Sequence, residues 1–225
     1  MPGAPRLGPR AERTRAAILT AAEAVFAEKG FAAARLEDVA VQVDIRRASL
    51  VYYFRDKRAL YEAVLENLLG ELLRRYRAVL DAPGGPADKL YGIARVWLAY
   101  VRERPALARI VLREAAESSP SVSAAFADRL RPIAEAVAGV LVEGQRRRVF
   151  APGDPMMIVM TIAGATIFHD AFGRVLDPRW PASSNTPVPV ETQVEHVLRI
   201  LHRLVGDRPL RAVPTARKRA RRRNP

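Results

Sequence analysis

Residues 36–60 read LEDVAVQVDIRRASLVYYFRDKRAL, and this stretch decides the fold. Its spacing predicts a short helix over about 36–43, a break at Asp44-Ile45-Arg46, and a second short helix over about 47–53. Asp56 is then placed to cap a longer helix running to about Leu80. Helix, short helix, turn, short helix is the layout in which the last short helix lies in the DNA major groove and its neighbours hold it against the backbone. Leu50 and Phe54, one helical turn apart, anchor that helix inward, while Arg46, Arg47, Ser49 and Tyr53 are expected to face outward. Tyr52 has two open readings, a DNA contact or packing against the first helix. Lys57 is expected to meet a phosphate at the start of the next helix, where free backbone N–H groups also point.

Upstream, residues 10–29 form a helix whose apolar face is Ile18, Leu19, Ala22, Val25 and Phe26, closed by Gly30. Downstream, Pro83-Gly84-Gly85-Pro86 ends the long helix. A helix follows over about 87–103, with Leu90, Ile93, Ala94, Trp97 and Val101 on one face. Pro105 opens another, Ser119-Pro120 and Asp154-Pro155 each read as a cap followed by a first-turn proline, and a last helix covers about 190–205. No alternating run reads as a strand, so the expected fold is all-α: a three-helix head, a helical bundle behind it, about nine helices in total. The expected segments are an N-terminal arm (1–9), a DNA-binding domain (10–56), a ligand-binding and dimerisation domain (57–206), and a basic tail (207–225), with both ends disordered.

Charge sharpens this division. Of the net +13, residues 1–60 carry +4, residues 61–207 only +1, and residues 208–225 carry +8. A balanced middle with basic ends fits a polyanionic partner at the ends, here double-stranded DNA. Six of the seven residues Arg217–Arg223 are basic, which reads equally as a solvated tail or as a non-specific DNA arm. Cysteine is absent, which removes disulfides and thiolate chemistry and fits a cytoplasmic location. No apolar run is long enough for a membrane helix, so no membrane partner is expected.

The segment Arg13–Leu65 resembles the DNA-binding domain of the tetracycline-repressor (TetR) family. The residues that carry the likeness are Ala22, Phe26, Gly30-Phe31, Val39-Ala40, Ile45, Leu50, Tyr53-Phe54, Lys57 and Leu60. Arg104-Pro105, Leu112-Arg113-Glu114 and Glu143-Gly144-Gln145 followed by Asp154-Pro155 are similar to one subgroup of the family's C-terminal domains. The chain departs from the family at Asp44 (usually Gly), Arg46 (often a Ser or Thr cap), Ala48 (Gly), Val51 (often Tyr) and Ala34-Arg35 (where a Thr commonly starts the helix). Asp tolerates the left-handed turn region better than most residues, and the extra arginines, Arg35 among them, point to a retuned operator contact. The resemblance implies a ligand-responsive repressor, a homodimer on a palindromic operator, with an effector cavity in each C-terminal domain. The alternative is a helical dimer that binds nucleic acid without a defined operator.

Trp97, Tyr100, Met160, Phe168 and His169 are the candidates to line that cavity, for an apolar or amphipathic effector. The helix at 155–176 is apolar around most of its circumference, and 190–205 carries Val194, Val197, Leu198, Leu201, Leu204 and Val205 at helical spacing, so both are expected at the dimer interface. No enzyme chemistry is expected. His196 and His202 fall on different helix faces and make no metal pair, there is no Gly-rich phosphate loop or nucleophile elbow, and neither metal nor cofactor is predicted.

Overall fold

The computed structural model describes residues 8–117, 120–176 and 190–206, and among these it is helical with no strand. The expected tail, residues 177–189 and most of the expected N-terminal arm lie outside the described residues; Pro9 already belongs to the first helix.

The head is α1 (Pro9–Ala33), α2 (Leu36–Gln42) and α3 (Arg47–Tyr53). The five apolar residues predicted on α1 are all buried. Gly30 breaks that helix with φ 75°, a left-handed value that a side chain would strain, so the chain turns there and Phe31 lies near Phe26 and Tyr61. Asp44 takes φ 52°, and the amide of Ile45 donates to the carbonyl of Ala40 at 3.0 Å to close the turn between α2 and α3. The aspartate thus occupies the left-handed position where the family usually has glycine.

α4 (Lys57–Asp81) is capped by Asp56, whose carboxylate accepts from the Ala59 amide at 2.7 Å, and it links head to body. The body continues with α5 (Pro86–Glu103), α6 (Pro105–Glu117), α7 (Pro120–Arg146), α8 (Pro155–Leu176) and α9 (Val190–Val205). α6 lies on α1, α7 on α4 and α5, α8 on α6 and α7, and α9 on α5. Gly144 matters for the corner between α7 and α8: a Cβ there would come within 2.0 Å of the Phe150 ring. The bare backbone lets Phe150 fold under the helix end, where its amide and that of Val149 both donate to the Gly144 carbonyl.

Candidate DNA-reading head and effector cavity

α3 is held from beneath by Leu50, with no exposed surface, and by Phe54, buried at its end. That leaves Arg46, Arg47, Ser49 and Tyr52 on the outside, with Arg35 exposed at the start of α2. Arg35 and Arg47 line one open groove together with Val51 and Arg55. Arg46 makes no ion pair among the described residues, whereas the Arg47 Nε sits 2.9 Å from a Glu37 carboxylate oxygen. The α2 start is set by Asp38, which accepts from the Arg35 amide at 2.9 Å and pairs with Lys29 at 2.9 Å. The Lys29 bond and then the Arg35 amide bond hold its carboxyl below the usual range.

Two placements correct the sequence reading. Tyr52 is 76 % exposed, while Tyr53 is half-buried and packed against the core. The reason is helical geometry: Tyr53 lies three residues after Leu50, within about 60° of it around the helix, and Tyr52 falls nearly opposite. Lys57 is also not a free phosphate donor. Its ammonium donates to the carbonyls of Phe31, Ala32 and Ala34 at 2.7, 3.0 and 2.9 Å, which uses all three of its N–H groups. It lies 4.7 Å from the Phe31 ring centre as well, so it ties off the carbonyl end of α1. Arg55, exposed beside this surface, was not picked out from the sequence because it falls outside the recognition helix in the chain.

Head and body are joined by polar bonds. Arg104, at the end of α5, donates to the Glu23 carboxylate of α1 at 2.7 and 3.3 Å and approaches Glu71 of α4 at 3.8 Å. Glu23 is buried, and that burial raises its carboxyl above the usual value despite the arginine. Arg113 of α6 donates to the carbonyls of Ala27 and Glu28. The Tyr61 hydroxyl donates to Glu114; burial first, and that carboxylate second, push the phenol well above its ordinary range.

The body holds a cavity of about 290 Å³ between α4, α5, α6, α7 and α8, with Leu201 of α9 at its edge. Of the five residues predicted to line it, Trp97 and Met160 do. Trp97 also donates through Nε1 to the Thr166 hydroxyl at 2.7 Å. The other three do not line it. Tyr100 is buried elsewhere, donating to the Leu68 carbonyl at 2.8 Å beneath the Arg75 guanidinium. Phe168 is 54 % exposed and stacks on Phe172 at 4.4 Å, and His169 is exposed beside it. α8 turns Ile158, Ile162 and Ile167 inward and leaves Met156, Met157, Met160, Phe168 and Phe172 open to solvent. On α9, Leu201 and Val205 are buried within the chain itself rather than left for a partner.

A three-helix head that displays a short, arginine-flanked third helix defines a helix-turn-helix DNA-binding protein. Residues 18–64 match the family described as bacterial regulatory proteins, tetR family, and residues 83–169 match the tetracyclin repressor-like C-terminal domain. The transcriptional repressor SCO4008 of Streptomyces coelicolor is 31% identical over 169 residues, 73% of this chain and 84% of its own. The transcriptional regulator RutR of Escherichia coli K12 is 27% identical over 193 residues, 86% of this chain and 90% of its own. Among solved structures, the fatty acid degradation regulator FadR from Bacillus halodurans shares the fold with a TM-score of 0.70 at 17% identity, covering 88% of this chain and 96% of its own. The chain belongs to the tetR family of bacterial regulatory proteins and is a helix-turn-helix transcription regulator. No helix among the described residues is long and apolar enough to cross a membrane.

Proposed function

We propose that the chain is a repressor that binds a palindromic operator as a homodimer and releases it when a small effector enters the body cavity. The observation that carries this reading is α3 itself, anchored by Leu50 and Phe54 and carrying Arg46, Arg47, Ser49 and Tyr52 on its free side, with Arg35 beside them. Arginines suit guanine edges and phosphates, and Ser and Tyr add hydroxyl donors and acceptors. The exposed Met and Phe face of α8 supports pairing with a second copy through residues 155–176, because so large an apolar stripe left in water is costly. From 190–205, the outward side of α9, with Ile200, would join it. The repressor title of SCO4008 supports repression. The protein would act in the cytoplasm, as a binder and not a catalyst.

Signal transfer follows the joints already described. α6 supplies Leu107, Val111, Leu112 and Ala115 to the cavity wall and, through Arg113, grips the end of α1. A ligand that shifts α6 therefore shifts the head, and the population with operator-matched head spacing falls.

Selection of bound DNA from a random pool tests the reading, repeated with Arg47→Ala. A single palindromic motif is the expected product. An even spread of recovered sequences at fixed salt would instead establish non-specific nucleic-acid binding.

A further inference from the structure

The cavity wall is almost pure hydrocarbon. Among the described residues lining it there is no Lys, Arg, His, Asp, Glu, Asn, Gln, Ser or Thr. Its heteroatoms belong to Met160, a weak acceptor, and to Trp97 and Tyr76. The Trp97 N–H is already committed to Thr166, and that hydroxyl is itself directed to the carbonyls of Ile162 and Ala163. Tyr76 is different. It is 3 % exposed, its hydroxyl makes no hydrogen bond among the described residues, and its oxygen keeps a little open surface. Burial pushes its phenol well above the ordinary range, so it stays a protonated donor.

A buried hydroxyl with nothing to bond is unfavourable, and native structures nearly always supply a partner. An ordered water is a poor substitute here, because it needs two to four polar neighbours and this wall offers one. A charged group would fare worse, since nothing in the wall could balance it. The volume, about 290 Å³, lies at the small end of ligand pockets.

The geometry points to Tyr76 as the specificity-determining contact of the effector subsite, and to an effector that is small, uncharged, mostly hydrocarbon, and equipped with one hydrogen-bond acceptor such as a ketone or ester oxygen. This rests on the ligand-responsive reading above and deepens it. The shape of the apolar wall selects size, and one hydroxyl selects where the oxygen sits.

The test uses the full chain and three probes of one chain length: nonane, nonan-2-one and nonanoate. Headspace depletion measures the two volatile probes and equilibrium dialysis the anion, each with wild type and Tyr76→Phe. Loss of the hydroxyl is expected to weaken nonan-2-one about three- to tenfold, the worth of one hydrogen bond, and to leave nonane within about twofold. Nonanoate at pH 8 is expected to bind far more weakly than the ketone. Ligand-free Tyr76→Phe is expected to melt at or above the wild-type temperature, because the removed oxygen had no partner. A drop of several degrees would show a hidden partner and overturn the assignment. Equal ketone affinity in both proteins, or tight nonanoate binding, would overturn it too. If the ketone still releases operator DNA from Tyr76→Phe at wild-type concentrations, only the role of Tyr76 fails. If none of the probes binds wild type, the effector-cavity reading fails with it.

Discussion

The head buries its anchors and displays its chemistry, whereas the body encloses its chemistry and displays apolar carbon. In α1–α3, Leu50 is fully covered while Arg46, Arg47, Ser49 and Tyr52 face solvent. In the body, the only hydroxyl at the cavity wall among the described residues is Tyr76, and it is Met157 and Phe168 that lie open, 65 % and 54 % exposed. The two surfaces suit different partners. Polar side chains on a short helix meet base edges and phosphates. An apolar helix face is satisfied by another apolar face, and a hydrocarbon cavity by a hydrocarbon.

Four variants can break or sharpen this contrast. The largest effect is expected from Leu50→Ala, which empties a fully packed site under the recognition helix and should cost about 2–5 kcal/mol. Denaturant unfolding would show it, and a change below 1 kcal/mol would mean that the helix is not anchored there. Second is the pair Met157→Asp with Phe168→Asp, two charges on the open face of α8. Dimer affinity by sedimentation should fall at least about 100-fold while far-UV dichroism is unchanged; an intact dimer would move the interface elsewhere. Arg46→Ala comes third. Operator binding should weaken about tenfold, with relaxed preference at one base position, the mark of a lost base contact. A uniform loss over all sequences would make Arg46 a phosphate contact instead. The smallest effect is expected from Glu37→Ala, which frees Arg47 from its 2.9 Å partner and removes a negative charge beside the DNA face. Affinity for random DNA should rise about two- to threefold, with a steeper salt dependence. No change would show that the pair already opens in solution.

The sequence announces the helices more plainly than the sites. Gly30, the Pro83–Pro86 cluster and Asp154-Pro155 punctuate the chain where a helix cannot continue, and the structure turns at each. The recognition surface was legible in part, because it belongs to one element and one helical period. That Tyr52 is the outward tyrosine and Tyr53 the half-buried one is a matter of angle on that same helix, settled by which face Leu50 commits. The carbonyl bonds of Lys57 escape a local reading for a different reason. Its partners, the carbonyls of Phe31, Ala32 and Ala34, lie well upstream in the chain, and no local pattern announces them. The cavity was least legible: its wall gathers Leu69, Leu90, Leu107, Ile133 and Ile158 from five helices, and spacing within one helix says nothing of what the next presents. Tyr100 looked like a lining residue and is instead bonded to the Leu68 carbonyl.

α4 runs unbroken for 25 residues from its Asp56 cap to Asp81, with the Lys57 knot at one end and Tyr76 near the other. At 1.5 Å per residue such a helix is about 37 Å long. A rigid rod of that length can serve as a lever: a tilt of about 5° at the cavity end would carry the far end through roughly 3 Å, close to the 3.4 Å rise of one base pair. Two heads displaced in opposite senses by that amount would miss the major-groove register of their half-sites. A distance between labels on the two heads that stays fixed when ligand binds would rule this swing out.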